Sequence, residues 1–129
     1  MQDVRKLHVA EFAHQLAVAT YRHTESYPAS ERFGITSQMR RAAVSIPSNI
    51  AEGCGRRGNS ELISFLYYAS GSARELVCQL RIATELGFGD HASAEQLRVQ
   101  SLRVAKMLTR LINFLSDHER AQSMKKGRP

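Results

Sequence analysis

The 129-residue sequence contains little that would cross-link the chain or carry it into a membrane. It has two cysteines, Cys54 and Cys78, whereas small secreted domains with a disulfide framework commonly use four or more, so free thiols are expected. No apolar run approaches about 20 residues, and no basic segment followed by an apolar one opens the chain. These absences predict a cytoplasmic protein with no membrane partner.

Residues that interrupt helices are also scarce, with three prolines, eight glycines and no tryptophan. They cluster between four segments in which apolar residues recur every three or four positions, which is helical spacing. The segments cover about residues 3–24, 36–52, 60–86 and 93–118. No alternating pattern suggests a strand, and short connections favour antiparallel neighbours. The sequence predicts an all-α fold, an antiparallel up-and-down four-helix bundle.

The sequence also indicates where these helices begin and which of their residues pack in the core. The third and fourth segments alternate steps of four and three, as in the run Leu62, Leu66, Ala69, Ala73, Leu76, Leu80, which is typical of bundle packing. The expected N-terminal caps are Asp3, Thr36 or Ser37, Asn59 or Ser60, and Ser93 with Gln96.

Pro47 lies inside the second segment, where it predicts a kink, because proline has no N–H and clashes with the preceding turn. A polar stripe accompanies it, and we interpret it as a structural network that fixes the kink: Arg41, Ser45, Asn49 and Glu52. The alternative is a catalytic role. The conceivable nucleophiles have no base at a recognisable spacing, so no catalytic residue and no enzyme are expected.

The apolar surface is wider than a single bundle interior requires. Eight residues form the surplus: Phe65, Tyr67, Tyr68, Ile82, Leu86, Val99, Leu102 and Phe114. A second buried face would make the protein a homo-oligomer, whereas scattered exposed apolar residues are the alternative.

The formal net charge is +6, which permits binding to polyanions. Part of the charge lies in residues 120–129, expected to be a basic disordered tail after a bundle domain at 1–119. Candidate nucleic-acid-binding residues within the bundle are Arg40, Arg41, Arg56, Arg57, Arg103, Lys106 and Arg110. The alternative is that these cations are solvated or paired with glutamates.

Two short patterns resemble a cofactor-binding and a metal-binding motif, but the structural features that these motifs require are missing. Residues 53–58, GCGRRG, match the dinucleotide-binding glycine pattern, which requires a preceding strand; here a helix precedes it, so a helix connection is expected. Glu11 and His14 have the spacing used in di-iron bundles, but a site needs two copies. No cofactor and no metal site are therefore expected.

Residues 34–53, GITSQMRRAAVSIPSNIAEG, resemble the signature of the bacterial four-helix bundle family that includes the 23S rRNA intervening-sequence proteins. The similarity continues through residues 65–72, FLYYASGS. The resemblance implies a bundle assembled as a ring-shaped homopentamer. A related branch, the accessory variability determinants of retroelements, engages nucleic acid and a reverse transcriptase, which implies a role for Arg40, Arg41, Arg56 and Arg57.

The leading hypothesis is therefore a non-enzymatic, homo-oligomeric and pentameric scaffold that binds RNA or DNA through a basic surface. The alternative is a protein–protein interaction module with no nucleic-acid role, whose partner is a reverse transcriptase or another protein.

Overall fold

A computed structural model of the protein describes residues 4–127. It contains helices α1 (Val4–Thr24), α2 (Ile35–Cys54), α3 (Asn59–Glu85) and α4 (His91–Lys126), with a short 3₁₀ turn at Ala29–Glu31 between the first two. No strand occurs among the described residues. α1 and α3 each contact α2 and α4, while neither diagonal pair is in contact. The predicted four-helix bundle is confirmed.

α1 and α4 run antiparallel, as the cross-helix contacts between them show. Residues later in α1 meet residues earlier in α4, in the pairs Arg5–Phe114, Phe12–Arg103 and His23–Ser93. The core lies between the buried stripes and includes the fully buried side chains Leu16, Met39, Ile46, Leu66, Leu76, Leu108 and Leu111. Each such leucine stabilises the fold by about 1.5–3 kcal/mol relative to an exposed position.

The helix starts differ from the predicted ones. α2 and α3 follow Gly34 and Gly58, and neither glycine offers a side chain as a cap, so the caps predicted within residues 36–37 and 59–60 are wrong. α4 begins at His91, where the Asp90 carboxylate accepts a hydrogen bond of 2.8 Å from the Ser93 N–H. Ser93 therefore lies within the helix. Asp3 lies outside the described residues.

The last helix is longer than its sequence pattern predicts. α4 continues to Lys126, so residues 120–126, expected to be disordered, are helical, and every side chain there is exposed. The division between a bundle domain ending at residue 119 and a tail stays a prediction.

Pro47 lies within α2, which is assigned as one helix from Ile35 to Cys54. Since proline has no N–H, the carbonyl of Ala43 lacks its usual helical donor. The expected kink at Pro47 stays a prediction, and α2 continues through Pro47 although this hydrogen bond is missing.

α2 and α3 approach each other closely at Gly53, near the end of α2. A Cβ atom on Gly53 would lie 2.9 Å from Cβ of Phe65 and 3.0 Å from Cδ1 of Leu62. Gly71 in α3, by contrast, has no atom within 4 Å of such a Cβ. Both glycines are helical, but only Gly53 is required by the neighbouring helix.

A buried aromatic cluster closes the end of the bundle where α1 meets the α3–α4 turn. The His23 ring is 5% exposed, and its Nδ1 lies 2.8 Å from Oγ of Ser93. It packs edge-on against Tyr27, whose ring in turn contacts Phe88. Gly89, with φ +79°, fits only because it has no side chain, since a Cβ would lie 2.9 Å from His23 Cε1.

Burial changes the protonation behaviour of this cluster. Desolvation lowers the pKa of His23, and the nearby Asp90 carboxylate opposes this only in part. Desolvation also raises the pKa of Tyr27 to about 12. Nε2 of His23 and the Tyr27 hydroxyl have no hydrogen-bond partner among the described residues. The surroundings of His23 therefore favour the neutral form of its imidazole ring.

We expect Gly53→Ala to lower the free energy of unfolding by about 1–3 kcal/mol, because the added methyl group overpacks the α2–α3 contact. Gly71→Ala is the matched control and should raise it by about 0.5–1 kcal/mol through helix propensity alone. Urea denaturation at one fixed protein concentration measures both. Equal stabilisation by the two substitutions would contradict the close approach at Gly53.

We also expect stability to depend on pH through His23. Its pKa in the folded protein lies below the unfolded value of about 6.5, so the unfolded chain binds more protons as the pH falls through that region. The contribution of the neutral ring is complete above pH of about 6.5 and is lost as the pH falls toward the folded pKa. Urea titrations at pH 7.5 and 5 should show a larger loss for the wild type than for His23→Gln; an identical loss would refute this role.

Candidate nucleic-acid interface

The seven candidate basic residues lie in three separate places. Arg40 and Arg41 are near the start of α2, and Arg56 and Arg57 are in the turn after it. The other three are on α4: Arg103, Lys106 and Arg110. Because α2 and α4 are diagonal in the bundle, these groups do not form one surface.

Arg40 connects α2 to the end of α1. Its Nε donates to Oγ1 of Thr24 at 2.9 Å, and one terminal nitrogen donates to the Tyr21 carbonyl at 3.3 Å. Its guanidinium carbon also lies 4.6 Å from the centre of the Tyr21 ring. The last carbonyls of a helix lack internal partners and favour a cation, so Arg40 has a structural role at the α1 C-terminus.

The arginines of the α2–α3 turn differ from each other. Arg56 forms a 2.6 Å ion pair with Glu52 and lies 5.0 Å from the centre of the Phe65 ring. Arg57 is exposed and has no ion pair with a described residue. The charge of this turn is therefore partly neutralised.

The outward side of α4 carries cations that no neighbouring carboxylate on the helix offsets. Arg103, Lys106 and Arg110 are exposed and fall on one face, since steps of three and four residues bring side chains together. The segment 96–116 contains no aspartate or glutamate. With three apolar neighbours they line a shallow groove of about 400 Å³, called the α4 basic face: Val99, Leu102, Arg103, Lys106, Met107 and Arg110.

Aromatic rings of α1 and α4 support cations along this side of the bundle. The guanidinium carbon of Arg103 lies 5.5 Å from the centre of the Phe12 ring, and that of Arg5 lies 3.9 Å from the centre of the Phe114 ring. Such contacts are attractive, so the Phe12 ring helps to hold Arg103 in place.

Cations nearer the start of α4 are neutralised. Arg98 donates two hydrogen bonds to Glu95, at 2.9 and 2.6 Å, and this bonding lowers the pKa of Glu95. Arg81 lies 3.6 Å from Glu85 on α3. Within residues 91–116 of α4, the cations without a carboxylate partner are therefore those at residues 103–110.

A second basic concavity lies at the start of α2. It has a volume of about 660 Å³, and we call it the α2 hollow; its lining residues are Tyr21, Arg32, Phe33, Thr36, Ser37, Arg40, Arg41, Val44 and Ser45. Phe33 is 92% exposed, and Oγ1 of Thr36 is buried with no hydrogen-bond partner among the described residues. Sequence reasoning missed Arg32 and Phe33, although an aromatic residue beside an arginine in a short polar connection was a usable signal.

The predicted polar network forms only in part. Nδ2 of Asn49 donates to the carbonyl and hydroxyl oxygens of Ser45, at 2.8 and 2.9 Å, and Oγ of Ser45 lies 2.8 Å from Oγ of Ser72 on α3. Glu52 pairs with Arg56 instead, and Arg41 makes no polar contact with this group among the described residues. The network therefore joins α2 to α3 through Ser72, which sequence reasoning missed.

Other chemistry finds little support among residues 4–127. No three His, Cys, Asp or Glu side chains gather there as a metal site requires, and Glu11 accepts a hydrogen bond from Gln15 at 3.1 Å. The two cysteines, Cys54 and Cys78, form no disulfide, and both are exposed. Gly53 and Cys54 end α2 and residues 55–58 connect it to α3, so a helix precedes the connection, as predicted. Within this range, no helix has the length and apolar character needed to cross a membrane.

Comparisons with known proteins agree with this architecture. A crystal structure of a protein of unknown function from the S23 ribosomal protein family of Bacteroides thetaiotaomicron superposes with a TM-score of 0.75. The two sequences are 20% identical, and the alignment covers 84% of this chain and 98% of the other, so the likeness concerns the fold. A search of curated proteins found no match.

The family-level comparison is more specific, because it covers most of the chain. The sequence model of the 23S rRNA-intervening sequence proteins matches residues 5–110, which include α1 to α3 and the α4 basic face. The chain belongs to the 23S rRNA-intervening sequence protein family.

Proposed function

We propose that this protein is a non-enzymatic, cytoplasmic, self-associating scaffold that binds RNA or DNA through the α4 basic face. The observation that carries the proposal is the set of three exposed cations on one side of α4, in a segment without carboxylates. Phosphates bind such cations by releasing condensed counterions, and this contribution does not depend on base sequence.

The spacing of the cations suits a nucleic-acid backbone. Arg103 and Arg110 are seven residues apart, which is about 10 Å along a helix, with Lys106 between them. Arg103 is oriented by the Phe12 ring, so less side-chain entropy is lost on binding. The apolar residues of the face, Val99, Leu102 and Met107, offer contacts to sugars. We infer a backbone-directed interaction with little sequence preference.

Self-association is proposed from the outward side of α3. Tyr68 and Ile82 are two heptads apart on this side, and Leu86 follows one turn later; they are 59%, 47% and 62% exposed. Tyr67 is also 59% exposed. We call Tyr67, Tyr68, Ile82 and Leu86 the α3 strip. The family resemblance implies five chains in a ring.

Assembly would strengthen nucleic-acid binding. The α3 strip and the α4 basic face lie on different helices, so one chain can use both. Several copies of a weak phosphate-binding face on one assembly bind a long strand with higher avidity than one copy does.

A protein–protein interaction module is the second candidate function, supported by the apolar residues within the α4 basic face. A groove with Val99, Leu102 and Met107 between cations also suits an acidic amphipathic helix of a partner, such as a reverse transcriptase. This alternative predicts indifference to added nucleic acid.

We expect the triple variant Arg103→Gln, Lys106→Gln, Arg110→Gln to weaken RNA and DNA binding and to reduce the slope of log affinity against log salt by about 3, roughly one per lost phosphate contact. The matched control, Arg22→Gln, Arg74→Gln, Arg120→Gln, removes the same charge at exposed positions elsewhere. Fluorescence anisotropy with labelled strands over a salt series measures both. Equal effects of the two variants, or no binding by the wild type at low salt, would remove the proposal.

We expect Ile82→Glu to dissociate the oligomer, because a buried unpaired carboxylate is costly in an apolar interface. Val99→Glu is the control, since Val99 is 45% exposed and Ile82 is 47% exposed. Light scattering coupled to gel filtration gives the mass of each species. A monomeric wild type at micromolar concentration, or an intact oligomer of Ile82→Glu, would contradict the role of the α3 strip.

A further inference from the structure

We propose that the α2 hollow is a nucleotide-binding site, in which arginines hold the phosphate and Phe33 stacks on the base. The ligand is a 5′-phosphorylated nucleoside, either free or at the end of a strand. The site is separate from the α4 basic face, because α2 and α4 are diagonal in the bundle. The proposal therefore does not depend on nucleic-acid binding at the α4 basic face.

The first observation is the convergence of three arginines on one concavity. Arg32, Arg40 and Arg41 all line the α2 hollow. Arg40 is held by its bonds to Thr24 and Tyr21, which fix its guanidinium at the edge of the hollow. Arg41 is exposed and makes no ion pair with a described residue, so its donors are available to a phosphate.

The second observation is the start of α2, where two N–H groups lack an acceptor. The Ile35 N–H donates a hydrogen bond of 3.4 Å to Oε2 of Glu31, so this carboxylate caps one donor. No described residue accepts a hydrogen bond from the N–H groups of Thr36 and Ser37. The N-terminus of α2 therefore keeps two free donors, although the Glu31 carboxylate offsets part of its positive charge.

The third observation is the orphaned hydroxyl group of Thr36, which lies at the same helix start. The residue is 7% exposed and lines the hollow, and its Oγ1 is buried without a partner. A buried hydroxyl with no hydrogen bond costs free energy. Because Oγ1 is shielded from the hollow in this structure, a phosphate oxygen there would reach it only after rotation about χ1.

The base position follows from Phe33. It is 92% exposed, the highest value among the large apolar side chains described, and it lies beside the arginines. An aromatic face next to a phosphate site is a stacking platform for a base, and stacking tolerates any base. Inorganic phosphate alone has no base that could stack on the Phe33 ring.

Calorimetric titration of the full-length protein tests the proposal with adenosine 5′-monophosphate, adenosine and inorganic phosphate. The monophosphate should bind at least tenfold more tightly than either fragment. Arg41→Gln should weaken it about tenfold, the loss of one charge-assisted hydrogen bond. Phe33→Ala should weaken the monophosphate and leave inorganic phosphate unchanged. Both side chains are exposed, so circular dichroism should show an unchanged fold.

Two controls separate this site from the α4 basic face. Arg57→Gln and the triple variant of Arg103, Lys106 and Arg110 should leave the affinity for the monophosphate unchanged. A 5′-phosphorylated trinucleotide that binds more tightly than the monophosphate identifies a strand end as the ligand, whereas equal affinity identifies a free nucleotide. Absence of binding at 10 mM monophosphate, equal affinities of Arg41→Gln and Arg57→Gln, or phosphate binding as tight as that of the nucleotide would each overturn the proposal.

Discussion

The packing of α2 against α3 determines where the surfaces of this protein lie. Gly53 removes the side chain that would separate the two helices, and the hydrogen bond between Ser45 and Ser72 sets their register on the outer side of the contact. With α2 and α3 fixed, α1 and α4 complete the bundle and bury the remaining apolar stripes. The α2 hollow and the α4 basic face lie on helices that do not contact each other, so a ligand can bind to one without covering the other.

Arginine has two different roles in this molecule. Four arginines lie over aromatic rings, and three of these contacts join different helices. Arg40 and Arg56 are also bonded to carbonyl or carboxylate oxygens, so much of their hydrogen-bonding capacity is used internally. Arg41 and Arg110 are exposed and retain their donors. Net charge alone therefore overstates the surface available to a polyanion.

The fold follows from sequence pattern because each helix buries a stripe that is visible as periodic leucines, such as Leu66 and Leu76. Helix starts were harder to predict, since the residues at the N-cap positions of α2 and α3 are Gly34 and Gly58, which have no side chain to act as a cap. The candidate site was predicted only in part. Whether the Arg40 guanidinium is available to a ligand depends on its hydrogen bonds to Thr24 and Tyr21 on α1. These partners are 16 and 19 residues away in the sequence, so no local pattern predicts the contacts.

α4 has 36 residues and α3 has 27, so α4 is longer by about 14 Å. In its last two turns, which include Met124, Lys125 and Lys126, every described side chain is exposed. The positive charges there offset the partial negative charge of the helix end, but no burial holds the segment in place. These turns should fray on a fast timescale while the rest of α4 stays folded, so their amide hydrogens should exchange with solvent well before those of residues 97–112.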